Sequence, residues 1–282
     1  MKKLLLLAIV VVVAQVADAQ VQTPQPSPFS KVEQKVGLTD VTLEYSRPGV
    51  KGRKIFGGLE SYDKIWRTGA NKNTIITFSD PVTIEGKQLA AGSYAIFTKP
   101  GKENWEVYFY SDTNNWGVPQ EWDNNKVAAS VTVQAHEAPF NVETFTIDIN
   151  SITNSGAAIE FIWETTYLAV PFEVPTDNKV LASINDTLNG NPTAQDYFNA
   201  AVYFSQENKD IKQAKEWVDK AISMSEKPAF WQLRHQSLIY AKAGDKKGAI
   251  EIAKKSLQAS KDAGNEQYVK FNEESLKEWG AM

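Results

Sequence analysis

Basic residues crowd into one stretch of this 282-residue chain, where Arg47, Lys51, Arg53, Lys54, Lys64 and Arg67 stand against only Glu60 and Asp63. Guanidinium groups recognise carboxylates and phosphates through paired, planar hydrogen bonds. Gly49, Gly52, Gly57 and Gly58 lie in the same stretch and let backbone approach a ligand closely. The pattern suits an anion-binding or acidic-glycan-binding loop. It also suits a long connection whose charges pair internally while Ile55, Phe56 and Trp66 enter the core. Trp66-Arg67-Thr68-Gly69-Ala70-Asn71 would set Arg67 and Asn71 beside an aromatic floor. Its alternative is a strand end and glycine turn, with Asn71 bonding its own backbone. The ligand-binding candidates are therefore Arg47, Lys51, Arg53, Trp66, Arg67 and Asn71, for an anionic small molecule or a glycan.

Trp105, Trp116 and Trp122 would make a platform for sugar rings, with Asp112, Asn114, Asn115, Asp123 and Asn124 supplying hydrogen bonds. The same tryptophans fit a half-buried core equally well. The carboxylates and amides lack the spaced ligand loop of a calcium site. Catalysis has little to work with: the histidines are His136, at a strand end, and His235, on a helix. There is no nucleophile-elbow serine, no phosphate-cradling glycine pattern and no histidine-based zinc motif. The chain has no cysteine, which removes disulfides, thiolate metal sites and cysteine nucleophiles. Glycoside hydrolysis needs only two carboxylates at a set separation, and no particular pair stands out. No catalytic residue, metal or cofactor is assigned.

These residues sit in two halves with different periods. From Val41 to about Val174, short alternating runs rich in β-branched and aromatic residues predict strands, at Val41–Ser46, Thr74–Ser79, Ser93–Thr98, Trp105–Tyr110, Lys126–Ala135, Glu143–Ile149, Ala157–Trp163 and Tyr167–Glu173. Glu85-Gly86 and Asn154-Ser155-Gly156 mark hairpins. A β-sandwich is the fold these features favour. After Pro175 a polar linker, residues 176–191, leads into segments whose apolar residues recur every three or four positions. Asn191-Pro192 reads as a helix cap followed by a first-turn proline, and Gly244-Asp245 as one helix's end and the next one's cap.

The helical half repeats itself: Ala214, Val218 and Ala221 overlay Ala249, Ala253 and Ser256 at a spacing of 35 residues. That period resembles tetratricopeptide repeats. Tyr197, Ala201 and Phe204, then Leu233, Ser237 and Tyr240, supply that motif's large, small and aromatic positions on the first helix of each repeat. A closing helix from about Asn265 to Trp279 completes a short array, whose implied role is docking a protein partner. An ordinary helical bundle is the alternative.

The N-terminus reads as an export signal over residues 1–19: Lys2 and Lys3, an apolar run Leu4–Val13 too short for a bilayer span, then Ala17-Asp18-Ala19 for cleavage. Residues 20–30 form an extended, proline-containing spacer. The expected address is the periplasm or the extracellular space, with no membrane span after cleavage. Removing the leader takes the formal charge from −4 to −5, which argues against a nucleic-acid partner.

Four motifs carry a family resemblance: Tyr45-Ser46-Arg47-Pro48, Val50-Lys51-Gly52-Arg53-Lys54-Ile55-Phe56-Gly57, Trp66-Arg67-Thr68-Gly69-Ala70-Asn71 and Leu89-Ala90-Ala91-Gly92-Ser93-Tyr94. Over roughly residues 28–174 the chain resembles the bacterial family of domain of unknown function 2911 (DUF2911), whose members in some cases continue into helical repeats. In the last motif Ala90 stands where the family usually has proline. The resemblance implies an exported protein and no established reaction. The expected architecture is α+β and multidomain: a sandwich-like all-β domain over residues 31–175, then tetratricopeptide-like helical hairpins over 192–282. The expected function is an exported binding or scaffold protein; the alternative is a carbohydrate-active or other hydrolase using a carboxylate pair in the β domain.

Overall fold

Strict alternation in segments such as Thr144-Phe145-Thr146-Ile147-Asp148-Ile149 gives each strand one wet face and one apolar face, so two such faces must close on each other. The computed structural model describes residues 23–282. The leader read over residues 1–19 lies outside them, as do residues 20–22 of the spacer. The chain divides into two compact units between Val174 and Pro175. Among the described residues no helix is long and apolar enough to cross a membrane.

The described residues of the first unit hold ten strands: β1 (Phe29–Val36), β2 (Thr39–Ser46), β3 (Thr74–Phe78), β4 (Val82–Ile84), β5 (Lys87–Leu89), β6 (Gly92–Lys99), β7 (Asn104–Tyr110), β8 (Val127–Gln134), β9 (His136–Asn150) and β10 (Gly156–Glu173). They form a six-stranded sheet, β1-β2-β3-β6-β7-β8, and a four-stranded sheet, β5-β4-β10-β9. All the pairings are antiparallel. The inward residues make one core: Val41, Leu43 and Tyr45 of β2 and Trp105, Val107 and Phe109 of β7 join Phe145, Ile147 and Ile149 of β9 and Phe161, Trp163 and Phe172 of β10. Each such side chain contributes about 1.5–3 kcal/mol by leaving water, and a chain without disulfides relies on that burial. At one end Trp66, Phe56, Trp105, Phe145 and Trp163 pack ring to ring, with Trp66 stacked on Trp163 at 5.8 Å.

Two details of the strands differ from the sequence expectation. β1 begins at Phe29, inside the stretch read as spacer, and went unread because charged Lys31, Glu33 and Lys35 alternate with Ser30, Val32 and Gln34. Such charges suit an edge strand. The two runs Ala157–Trp163 and Tyr167–Glu173 are one 18-residue strand. The apparent break at Glu164-Thr165-Thr166 is a pair of register shifts, with Glu164 at φ 49°, that bends the strand without ending it.

The second unit contains α1 (Thr176–Leu188), α2 (Ala194–Gln206), α3 (Ile211–Ser223), α4 (Phe230–Lys242), α5 (Lys246–Asp262) and α6 (Glu266–Glu278). Most of the stretch read as a linker, residues 176–191, is therefore helix α1. Asp177 ties it down, accepting from the Tyr203 hydroxyl at 3.0 Å and from Lys209 Nζ at 2.7 Å. The cap of α2 is Thr193, not Asn191, because Thr193 and Asp196 form a reciprocal capping box. Asp210, Asp245 and Asn265 cap α3, α5 and α6, and Gly244 ends the α4 region at φ 84°. α2 packs on α3, α4 on α5 and α5 on α6, while α4 also touches α2 and α6. Ala214, Val218, Ala221, Ala249, Ala253 and Ser256 are all buried, so the small residues lie where helices meet.

Candidate functional site

The long connection between β2 and β3 carries all six candidate residues, and its first part works as an edge seal. Strand β9 pairs with β10 on one side only, which leaves a row of backbone donors and acceptors to satisfy. The end of β2 and the connection supply their partners. The Tyr45 hydroxyl donates to Ile147 O at 2.8 Å and accepts from Ile147 N at 2.9 Å. Arg47 donates from Nε to Phe145 O at 3.1 Å and from its terminal nitrogen to Thr146 Oγ1 at 2.7 Å. Phe145 N donates to Pro48 O, and Val50 N to Glu143 O. Lys51, at φ 49°, donates its backbone N–H to Glu143 Oε1, and its Nζ lies 3.4 Å from Pro26 O. Arg53 folds back onto Val50 O and Gly49 O. The bonded side-chain donors of these three cations are directed at main-chain carbonyls and the Thr146 hydroxyl.

The Trp66–Asn71 motif is a knot of backbone turns. Trp66 bridges Thr98 through two main-chain bonds and is 4% exposed. Thr68 is fully buried at φ 57°, an unusual conformation for a β-branched residue. It is held by its own hydroxyl on Thr98 Oγ1 at 3.1 Å and by the Thr74 hydroxyl on its carbonyl. Asn71, at φ 60°, donates to Ser27 O and Ser46 Oγ, and Arg67 donates to Asn71 O at 3.0 Å. Gly69 is required here: its φ is 143°, and a Cβ would lie 3.0 Å from Ser46 O. Arg67 and Asn71 thus meet each other, while Arg47 and the Lys51 backbone are engaged along β9 and Arg53 bonds back within the connection. Trp66 Nε1 is a buried donor with no acceptor.

One carboxyl stands out between these groups. Burial pushes Glu60 up to about 7, against the pull of Arg67 and Arg53. Desolvation outweighs the attraction of the two guanidiniums.

A concave site of this unit lies beside that knot. A cavity of about 290 Å³ is lined by Phe56 and Tyr62 from the connection, Gly101 and Lys102 from the β6–β7 turn, and Trp105 from β7. Ala135, His136 and Glu137 at the start of β9, and Thr165 and Thr166 at the bulge of β10, complete it. The β10 bulge places two consecutive threonines at the wall, where an unbroken strand would send one inward. Tyr62 is positioned against Gly57, where a Cβ would come 2.5 Å from its ring. The site therefore offers an aromatic floor and a rim of hydroxyls, one ammonium, one imidazole and one carboxylate. Sequence reasoning set His136 aside and singled out neither Lys102 nor Tyr62. The signal available was the interrupted alternation at Glu164–Thr166, read there as a strand end.

The three tryptophans form no common platform. On β7, Trp105 faces the inter-sheet core, whereas Tyr108 and Tyr110 face outward and pack with Phe97 and Trp122. Trp116 stands 79% exposed in the loop between β7 and β8. His235 lies in the helical unit, edge-on to Phe198 at 5.7 Å, and burial lowers its pKa. Among the described residues no group of three or more His, Cys, Asp or Glu side chains is arranged to hold a metal ion.

The chain is thus a two-part α+β protein, an antiparallel two-sheet unit followed by six helices. It belongs to the family described as protein of unknown function (DUF2911), whose model matches residues 27–172. That span is the β unit, with the seam, the knot and the cleft. No curated protein and no solved structure matches the chain.

Proposed function

We propose that this is an exported binding protein whose β unit holds a small polar ligand bearing a carboxylate, such as an acidic monosaccharide. The observation that carries the reading is the first cleft, where Lys102 and His136 share a cavity of about 290 Å³ with Tyr62, Thr165 and Thr166 over the Phe56–Trp105 floor. An ammonium and an imidazole N–H serve a carboxylate, and hydroxyls serve ring substituents. Export is supported by Lys2 and Lys3, the Leu4–Val13 run and Ala17-Asp18-Ala19. The destination is the periplasm or the extracellular space.

The helical unit supplies a protein-docking surface in this reading. α4 lies between α2 and α6 and presents exposed Trp231 and Leu238, seven residues apart on one face. The arrangement of alternate helices in a layer is what stacked tetratricopeptide-like hairpins produce.

A hydrolase would need two carboxylates across a cleft. Glu137 is the only carboxylate in the tryptophan-containing cleft, so binding is the better-supported function. Titration calorimetry of the mature chain with glucuronate and with glucose tests the ligand class. Glucuronate is expected to bind and glucose to bind at least about tenfold more weakly, since a hydrogen bond to a charged group contributes about 1.5–3 kcal/mol. Lys102→Ala with His136→Ala should abolish that difference. Equal affinity for both sugars, or an unchanged preference in the double variant, would overturn the reading.

A further inference from the structure

The four-stranded sheet carries a second cavity, of about 410 Å³, on its outer face. Its wall shares Glu137 with the first cleft, so the two adjoin. Strand geometry builds it. Phe145, Ile147, Ile149, Ile159 and Phe161 point into the core, so the alternate residues Thr146, Asp148, Asn150, Glu160 and Ile162 face out. The far end is closed by Pro139, Tyr167 and Phe140, the last 60% exposed.

Register places Asp148 directly opposite Glu160, which brings their Cβ atoms to about 5 Å. Opposed like charges destabilise a strand pair unless something of opposite sign joins them. Asn150 Nδ2 donates to Glu160 at 3.0 Å, Ser151 Oγ lies 3.4 Å from it, and burial, helped by the Glu160 charge, raises the pKa of nearby Tyr167. None of these groups carries positive charge. The lining holds three carboxylates, Glu137, Asp148 and Glu160, and no Lys, Arg or His. Arg47 reaches the border at Thr146, with its donors on Thr146 Oγ1 and Phe145 O.

The geometry points to this cavity as a binding site for an organic cation, a primary or quaternary amine with an aromatic or aliphatic body. The ammonium lies between Asp148 and Glu160, and the body lies on Phe140, Tyr167 and Ile162. Apolar walls with a few convergent polar groups are the usual construction of a small-molecule site, and ring faces attract cations. A bare metal ion fits less well, because it has no apolar body to meet that wall. The site adjoins the first cleft at Glu137 but has its own floor and its own carboxylates, Asp148 and Glu160.

The test uses the full mature chain with three probes: benzylamine, benzyl alcohol and calcium chloride, followed by amide NMR and calorimetry. Benzylamine is expected to bind and to shift the Phe140 and Tyr167 resonances, with benzyl alcohol at least about tenfold weaker. Asp148→Asn with Glu160→Gln should lower benzylamine affinity at least about tenfold, as removal of an interfacial charge pair does. Phe140→Ser, at an exposed position, should weaken it severalfold and serves if the double variant misfolds. Lys102→Ala should leave benzylamine binding intact, which separates this site from the first cleft. Equal binding of benzyl alcohol would reduce the site to an apolar patch and overturn the proposal. Displacement of benzylamine by calcium, or full affinity in the double variant, would overturn it as well.

Discussion

Replacing Glu60 by glutamine should stabilise this protein at pH 8 and leave it unchanged at pH 4. The folded carboxyl is raised from 4.5 to about 7, with burial as the leading cause and Arg67 and Arg53 opposing it. Because the folded value lies above the unfolded one, the protonated form is preferred by the folded state. The stability it contributes is complete below about pH 4.5, falls as pH rises, and is lost above about pH 7. A rise of about 2.5 units at about 1.36 kcal/mol per unit sets a ceiling near 3.4 kcal/mol. The carboxyl is partly in contact with water, which reduces this to about 1–2 kcal/mol. Calorimetric unfolding of wild type and Glu60→Gln at pH 4, 5.5 and 8 measures it. A gain of about 1–2 kcal/mol at pH 8 should raise the melting temperature of a unit this size by roughly 3–6 °C. Carbon-13 NMR of the Glu60 carboxyl should show the same midpoint directly. If Glu60→Gln instead melts lower at pH 8, attraction to Arg53 and Arg67 outweighs desolvation, and the argument fails.

The seam and the knot yield further expectations. Tyr45→Phe leaves the buried N–H and C=O of Ile147 without their partner and should cost about 1–3 kcal/mol in urea unfolding. Gly69→Ala forces a side chain into φ 143° against Ser46 O and should cost at least about 2 kcal/mol by the same measurement. Trp66→Phe and Trp163→Phe open similar cavities, but Trp163 Nε1 donates to Glu143 O whereas Trp66 Nε1 has no acceptor. The Trp163 change should therefore be the more damaging by about 1 kcal/mol, and equal losses would show that the Trp66 donor is satisfied in solution. Asp210→Ala removes the cap that accepts from Lys212 N and Gln213 N and should cost about 1 kcal/mol of helical-unit stability, read by far-ultraviolet circular dichroism.

Much of the architecture was legible in single residues. Alternation in Thr144–Ile149 fixed which faces of β9 are wet, and Glu85-Gly86 marked the β4–β5 hairpin, where Ile84 pairs with Lys87. Gly244-Asp245 and Asn265 announced the starts of α5 and α6, because a cap acts on the residues next to it. α1 escaped notice because its short polar sequence is held by Tyr203 and Lys209, contacts that no local pattern records. β10 was split in two because Glu164-Thr165-Thr166 breaks the period of two as a turn would, and only pairing with β9 distinguishes a bulge from an ending.

The sequence by itself determined two halves, a wet and a dry face for most strands, and a cluster of arginines and glycines in the β2–β3 connection. Those properties follow from periodicity and composition, which act over a few residues. It did not determine what the arginines do. Arg47 meets Phe145 O and Thr146 Oγ1 across nearly a hundred positions of chain, and only the antiparallel bridge between Gly49 of the β2–β3 connection and Thr144 of β9 brings them together. Both cavities arise in the same way: Lys102, His136 and Thr166 share one wall, and Asp148 faces Glu160 in another, because strand register sets residues side by side that sequence keeps apart.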